Sequence, residues 1–205
     1  MAAQAIVTLS QLRRLRQYPT SSWAIWNTAC EDSLQFFEDN VGKLRSDVVF
    51  VGLNRSLDRR EWTNNFQNFH KVGHQGDAAL KRNIQGQQLT RLIGGYMTDL
   101  SEVFEARSGE VAIDILAAGN RLEEQLSILQ ASRPNIVCFG ERVFKCLCKF
   151  YGVTRAKRDG IECASVNGAR PRFLFRVYHY SMNGYNNKNV VERLPNQLTT
   201  LNALI

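Results

Sequence analysis

The chain has 205 residues, 44% of them hydrophobic and 22% charged, a balance that excludes a disordered or fibrous protein and suits one globular domain. Lys and Arg number 26 against 19 Asp and Glu, a formal charge of +7, which favours polyanionic partners such as nucleic acid and says nothing about fold. No apolar run approaches the ~20 residues needed to span a bilayer. The five cysteines (30, 138, 146, 148 and 163) include no CxxC pair, so reduced thiols of a cytoplasmic protein are expected rather than a zinc or iron–sulfur framework.

In chain order, residues 3–17 are expected to form an amphipathic helix with Ile6, Leu9, Leu12 and Leu15 on one side, stopped by Pro19. This reading is preferred to a cleaved presequence. Residues 21–40 look helical in part, with Trp23, Trp26, Leu34 and Phe37 for the core. DVVFVGL (47–53) is a strand rich in β-branched residues. The polar stretch 54–92, with a helix predicted over 77–92, is long for a connection inside a compact domain, which points to function. GGYMTDL (94–100) is a short strand; 119–132 is a helix with Leu122, Leu126 and Leu129 in phase and Asn120 as its N-cap. After Pro134 come the strand Ile136–Phe139, a glycine turn, and a helix over 141–152 closed by Gly152. RFLFRVYHYS (172–181) is the last strand, and 195–205 a final helix. No linker divides the chain. A helical segment over 1–46 is expected to pack on a domain over 47–205.

Strands that are continuous apolar runs alternating with helices argue for a parallel sheet buried on both faces. Ligands of such sheets gather at the carboxyl ends of the strands. Those ends carry Asn54, Thr98 and Asp99, Gly140, and His179 with Ser181. Taken singly, Asn54 is explained by an Asx turn, and a lone strand-end histidine is more often structural than catalytic.

In this order the motifs GLNRS (52–56), GYMTDL (95–100), LEEQLSILQASRPNIVCFGERVFKCL (122–147) and YHYS (178–181) resemble the uracil-DNA glycosylase superfamily. The resemblance spans roughly residues 47–205. It implies a three-layer α/β/α sandwich around a four-stranded parallel sheet, DNA as partner, a monomer, no cofactor and no metal. By that resemblance Asn54 aligns the attacking water, and His179 faces the anionic oxygen of the departing base. Ser181 grips a phosphate, Met182 or Tyr185 fills the hole left by a flipped base, and Lys188 follows into the groove. Phe69 is the candidate stacking platform, with Phe66 competing for that place.

Three positions depart from the family pattern. Arg55 replaces the proline that usually follows the catalytic residue, releasing φ and adding a cation. Ser56 replaces a bulky tyrosine and leaves room for a substituent at C5 of a pyrimidine. Asp99 stands where an asparagine reads uracil, with Thr98 the alternative at that position. An ionised aspartate only accepts hydrogen bonds, so Asp99 favours an exocyclic amine or a hydroxyl over the O4 of uracil. Two basic clusters, 155–158 and 170–176, are candidates for phosphate contact. His70 and His74 have a spacing that can hold a metal on a helix, but Gly73 and the lack of a nearby acid argue against one. The expectation is a monofunctional glycosylase of a bacterial cytoplasm, excising a deaminated or modified, cytosine-type base in repair or phage defence. The alternative is a binding module on the same fold that has lost hydrolysis.

Overall fold

The computed structural model describes residues 6–27, 33–55, 66–71, 73–104, 111–131, 133–168, 173–180 and 188–205, with the backbone alone at 55, 104, 189 and 190. It is an α/β/α sandwich. Strands β1 (Ser22–Trp23), β2 (Arg45–Arg55), β3 (Gly95–Phe104), β4 (Asn135–Phe139), β5 (Ala156–Arg158), β6 (Ile161–Ser165) and β7 (Phe173–Val177) form one sheet in the order β1-β3-β2-β4-β7-β6-β5. The inner four, β3-β2-β4-β7, are parallel and are the four strands read from the apolar runs. The sheet has seven strands rather than four, because an antiparallel strand is added at one edge and an antiparallel hairpin at the other.

Alternation along the inner strands splits the core in two. Val49, Val51, Tyr96, Ile136, Cys138 and Leu174 face one layer of helices: α1 (Leu9–Leu15), α2 (Leu34–Asp39), α4 (Ile115–Ile128) and α5 (Glu141–Tyr151). Val48, Phe50, Met97, Val137, Phe139, Phe175 and Val177 face the other layer, α3 (Gln75–Lys81) and α6 (Leu194–Leu204). Every inner strand is buried on both sides, which is why each reads as an apolar run.

The N-terminal segment is less helical than expected. Its apolar stripe is also shifted: Gln11, Leu12 and Leu15 are buried, while Ile6 and Leu9 are exposed. Gln11 is drawn inward by a reciprocal cap with Thr8, whose hydroxyl accepts from the Gln11 N–H at 3.2 Å while the Gln11 amide oxygen accepts from the Thr8 N–H at 2.8 Å. Ser22 and Trp23 pair with β3 instead of continuing a helix; Trp23 is fully buried, its ring 5.0 Å from that of Tyr96.

Helix α4 starts four residues before the predicted 119, capped by Asp114, which accepts from the Ala117 N–H at 3.0 Å, and not by Asn120. Helix α3 ends early and passes into a wide π turn over Arg82–Gly86. Helix α5 closes at Gly152 with φ +63°, as predicted. The β5–β6 hairpin was not anticipated, although Asp159–Gly160 carries its signature: φ is +48° and +79°, the left-handed pair that a two-residue hairpin turn requires.

Because Trp23 fills the space between β3 and residue 66, Trp23→Ala is expected to lower the unfolding free energy by about 3–5 kcal/mol in urea titrations. Leu116→Ala, at a side chain 65% exposed, should change it by less than about 0.5 kcal/mol. A small loss at Trp23 would mean that the N-terminal segment is peripheral to the domain.

Candidate active site

The ladders set the heights of the strands. Val51 pairs with Cys138, and Phe139 with Val177. Gly52 is therefore level with Phe139 and Val177, where β4 and β7 both end; Asn54 lies two residues further along β2, and His179 two residues past β7. Strand β4 stops short of that height. Its last residue, Phe139, is followed by Gly140 at φ +93°, and helix α5 leaves from Glu141 toward the opposite face. The sheet thus has no β4 rung beside Asn54. This is also where the connection from β2 crosses to one side and that from β4 to the other, the place where open α/β sheets bind ligands.

Asn54 does not sit in a loop. Strand β2 runs on to Arg55, with Asn54 paired to Ser101 and Arg55 to Phe104, so Glu102 and Val103 bulge from β3 between them. The absence of proline at 55 lets the backbone stay in the ladder. Asn54 is half-buried, on the α3/α6 face by alternation from Phe50.

His179 is partly buried. Its ring stacks on Tyr180 with centroids 4.7 Å apart and planes at 15°, and it meets Phe139 edge-on at 6.5 Å. Burial pushes its pKa down to about 4, so the imidazole is neutral at pH 7, with one N–H to donate and one nitrogen to accept. Burial also pushes the Tyr180 phenol up, and the Asp77 and Asp99 carboxylates add to that effect, so Tyr180 stays protonated.

Asp99 shares this face and is buried, 4% exposed. Its Oδ2 accepts from Asn68 Nδ2 at 2.9 Å. Its Oδ1 occupies the space where a side chain on Gly52 would start, with Phe69 Cζ 3.5 Å from the same point. A side chain at 52 would therefore displace the Asp99 carboxylate. Phe69 in turn lies 5.9 Å from Tyr180, centroid to centroid. An amide, a neutral imidazole, a carboxylate and two aromatic rings therefore share one face around the missing rung.

Residues 66–70 carry Phe69 and Asn68 to this place under backbone strain. Phe66 and Phe69 both have left-handed φ, +62° and +67°, costly for a residue with a bulky side chain. Four hydrogen bonds to residues 20–26 hold the segment. Ser22 Oγ donates to the Phe66 carbonyl at 2.7 Å, Asn68 Nδ2 to that of Thr20 at 2.9 Å and Trp26 Nε1 to that of Phe69 at 3.0 Å, and His70 Nε2 meets the Trp23 carbonyl at 3.0 Å. The segment wraps the sheet edge. Phe66 goes into the α1/α4/α5 core against Phe37 and Trp23, and Phe69 reaches the other face. Of the two competing phenylalanines, Phe69 is the one beside Asp99.

Other expectations divide. Thr98 projects to the opposite face, its hydroxyl 3.0 Å from that of Thr20, and so does not join Asp99. Lys188 is exposed and pairs with Glu192 at 3.6 Å. Ser56, Ser181, Met182, Tyr185 and the side chain of Arg55 lie outside the described residues, as do 170 and 172. Arg155 and Arg176 of the basic clusters are engaged by Glu141 and Glu162 at 2.6–3.1 Å, while Lys157 and Arg158 are exposed on β5. His70 is a core residue between Trp26 and Phe37. An acid does stand beside His74: Asp77, 2.9 Å away, holds that imidazole above its ordinary pKa. The pair serves the start of α3, where His74 is the N-cap and Asp77 Oδ2 accepts from the Lys71 N–H. Among the described residues no three His, Cys, Asp or Glu side chains converge as metal ligands, and no helix is long and apolar enough to cross a membrane. Sequence reading had Gly52 only as the first residue of the GLNRS motif, where a glycine inside a buried strand signals a close approach, and it missed Asn68, which nothing local marked.

An NMR titration should find the His179 imidazole neutral at about pH 6 and taking its proton near 4. The unfolded histidine takes its proton near 6.5, so the folded state binds fewer protons in between. This group's contribution to stability is therefore lost as pH falls from about 6.5 toward 4. A His179 titrating at its ordinary value would contradict the packing described. No protein-family model and no curated protein matches the sequence.

Proposed function

We propose that the protein is a monofunctional DNA glycosylase. It would flip a modified, cytosine-type base into the missing rung and hydrolyse its N-glycosidic bond, leaving an abasic site. The observation that carries this reading is that Asn54 and His179, from either side of β4, lie at the end of the sheet where β4 gives way to Gly140. An amide is too weak a base to deprotonate water fully, so the chemistry that suits it is dissociative. The C1′–N bond breaks with its electron pair leaving on the base, and water held by Asn54 then adds to the oxocarbenium carbon and releases its proton to solvent. The His179 N–H donates to the base oxygen as negative charge develops there, in a site where burial makes that donor worth most. Asp99 accepts from the exocyclic amine, and Phe69 supplies a face for the ring. The net charge of +7 supports attraction to the DNA backbone. No lysine stands at 54, so no lyase step is part of the proposal. Excision of this kind serves base repair or defence against phage with modified cytosines.

A second reading, a binding module without hydrolysis, draws on Arg55. Its backbone continues the β2–β3 ladder, where the family pattern turns at a proline.

Labelled duplexes carrying uracil, mismatched thymine, hydroxymethylcytosine or glucosylated hydroxymethylcytosine, cleaved with alkali after incubation, distinguish the two. Excision of modified cytosine is expected, reduced on the order of 10²–10³-fold by Asn54→Ala with DNA binding kept. Asp99→Asn, which restores a donor, should move the preference toward uracil by at least about tenfold. Binding without excision on every duplex would favour the module.

A further inference from the structure

We propose that Asn68 is a specificity-determining positioning residue, which clamps the Asp99 carboxylate so that the site accepts an amine-bearing base edge and rejects a carbonyl-bearing one. The inference rests on the glycosylase reading for its substrates and on geometry for its mechanism. One amide nitrogen, Asn68 Nδ2, donates both to Asp99 Oδ2 and to the Thr20 carbonyl, each at 2.9 Å. The Thr20 carbonyl belongs to the main chain that leads into β1, so the donor is tied to the sheet edge and cannot follow Asp99 if that side chain turns. Asn68 itself is 9% exposed and lies between two residues of left-handed φ, Phe66 and Phe69. Such strain persists only where surrounding contacts impose it. Here the contacts are the hydrogen bonds of Ser22 and Trp26 to the carbonyls of those same two residues.

The consequence is chemical. A donor fixed on Oδ2 favours the ionised carboxyl and sets the plane of the group, with Oδ1 seated over Gly52. An ionised, oriented carboxylate accepts from an amino group and repels the O4 of uracil. Without the clamp the carboxyl can turn, or take a proton and become a donor, and the discrimination falls. Asn68 touches no reacting atom; it acts through Asp99.

The test uses the full chain with Asn68→Leu, which keeps the volume and removes the donor. The ratio of hydroxymethylcytosine to uracil excision is expected to fall at least tenfold, with the uracil rate not reduced. The Trp26 indole N–H resonance should stay in place as a check that the segment remains seated. In an Asp99→Asn chain the same substitution should leave the ratio unmoved. An equal loss on both bases, or a ratio unchanged by Asn68→Leu alone, would overturn the proposal. Should Asn68→Leu not fold, Asn68→Gln, with the amide on a longer arm, is expected to lower the ratio in the same direction, and an unchanged ratio again overturns it. If the natural chain excises neither base, the glycosylase reading fails separately. The clamp is then judged by carbon-13 titration of the Asp99 carboxyl: a higher midpoint in Asn68→Leu supports it, and an unmoved midpoint refutes it.

Discussion

The site depends on strand β4 being short. Phe139 is the last residue of that strand, and the glycine after it adopts a backbone angle that other residues rarely take, φ +93°. The turn sends α5 to one face at the level where β7 also ends, while β2 runs on to Arg55. Asn54, on β2, and His179, two residues past the end of β7, then lie at that end of the sheet with no β4 residue between them. A β4 longer by two residues would place its own backbone beside Asn54. The parallel inner sheet supplies the rest, since strands of one direction deliver all their carboxyl ends to the same side.

The N-terminal segment completes the site from the other edge. Trp23 and Ser22 extend the sheet beyond β3, and residues 20–26 hold the 66–70 segment by backbone carbonyls and side-chain donors. The aromatic packing of Trp23 on Tyr96 and Phe66 is therefore connected to the position of Asp99 through one short strained segment. Folding energy from a large buried core offsets the local cost of two bulky residues in the left-handed region. A segment that looks like an accessory in the sequence holds in place the residues beside Asp99.

What was legible in the sequence follows from burial. The inner strands are apolar on both faces, so DVVFVGL, IVCF and FLFRV announce themselves, as does α5 with Gly152 behind it, although the last strand stops at Val177 instead of continuing into YHY as expected. The strand-end rule puts Asn54 and His179 at the same end of the sheet, since it needs only strand direction. The edges were harder. A two-residue strand such as β1 has no periodicity to detect, and polar Asn54 and Arg55 look like a loop although the ladder continues through them. The β5–β6 hairpin was signalled by Asp159–Gly160, but its exposed Ala156–Arg158 arm reads as a solvated basic loop. Asn68 was out of reach. Its partners are 48 and 31 residues away along the chain, and one polar residue within a polar stretch carries no mark of them. His70 shows the converse: a histidine in such a stretch that turned out to be core.

The central claim is that the missing rung above Gly140 receives a flipped base. Amide hydrogen exchange reads this directly, on the chain alone and with a duplex carrying a 2′-fluoro hydroxymethylcytidine that resists cleavage. The account predicts added protection at residues 52–55, 68–70, 99–101 and 178–180, absent with the same duplex carrying ordinary cytosine. Protection confined to the β5–β6 hairpin, or equal with both duplexes, would contradict it.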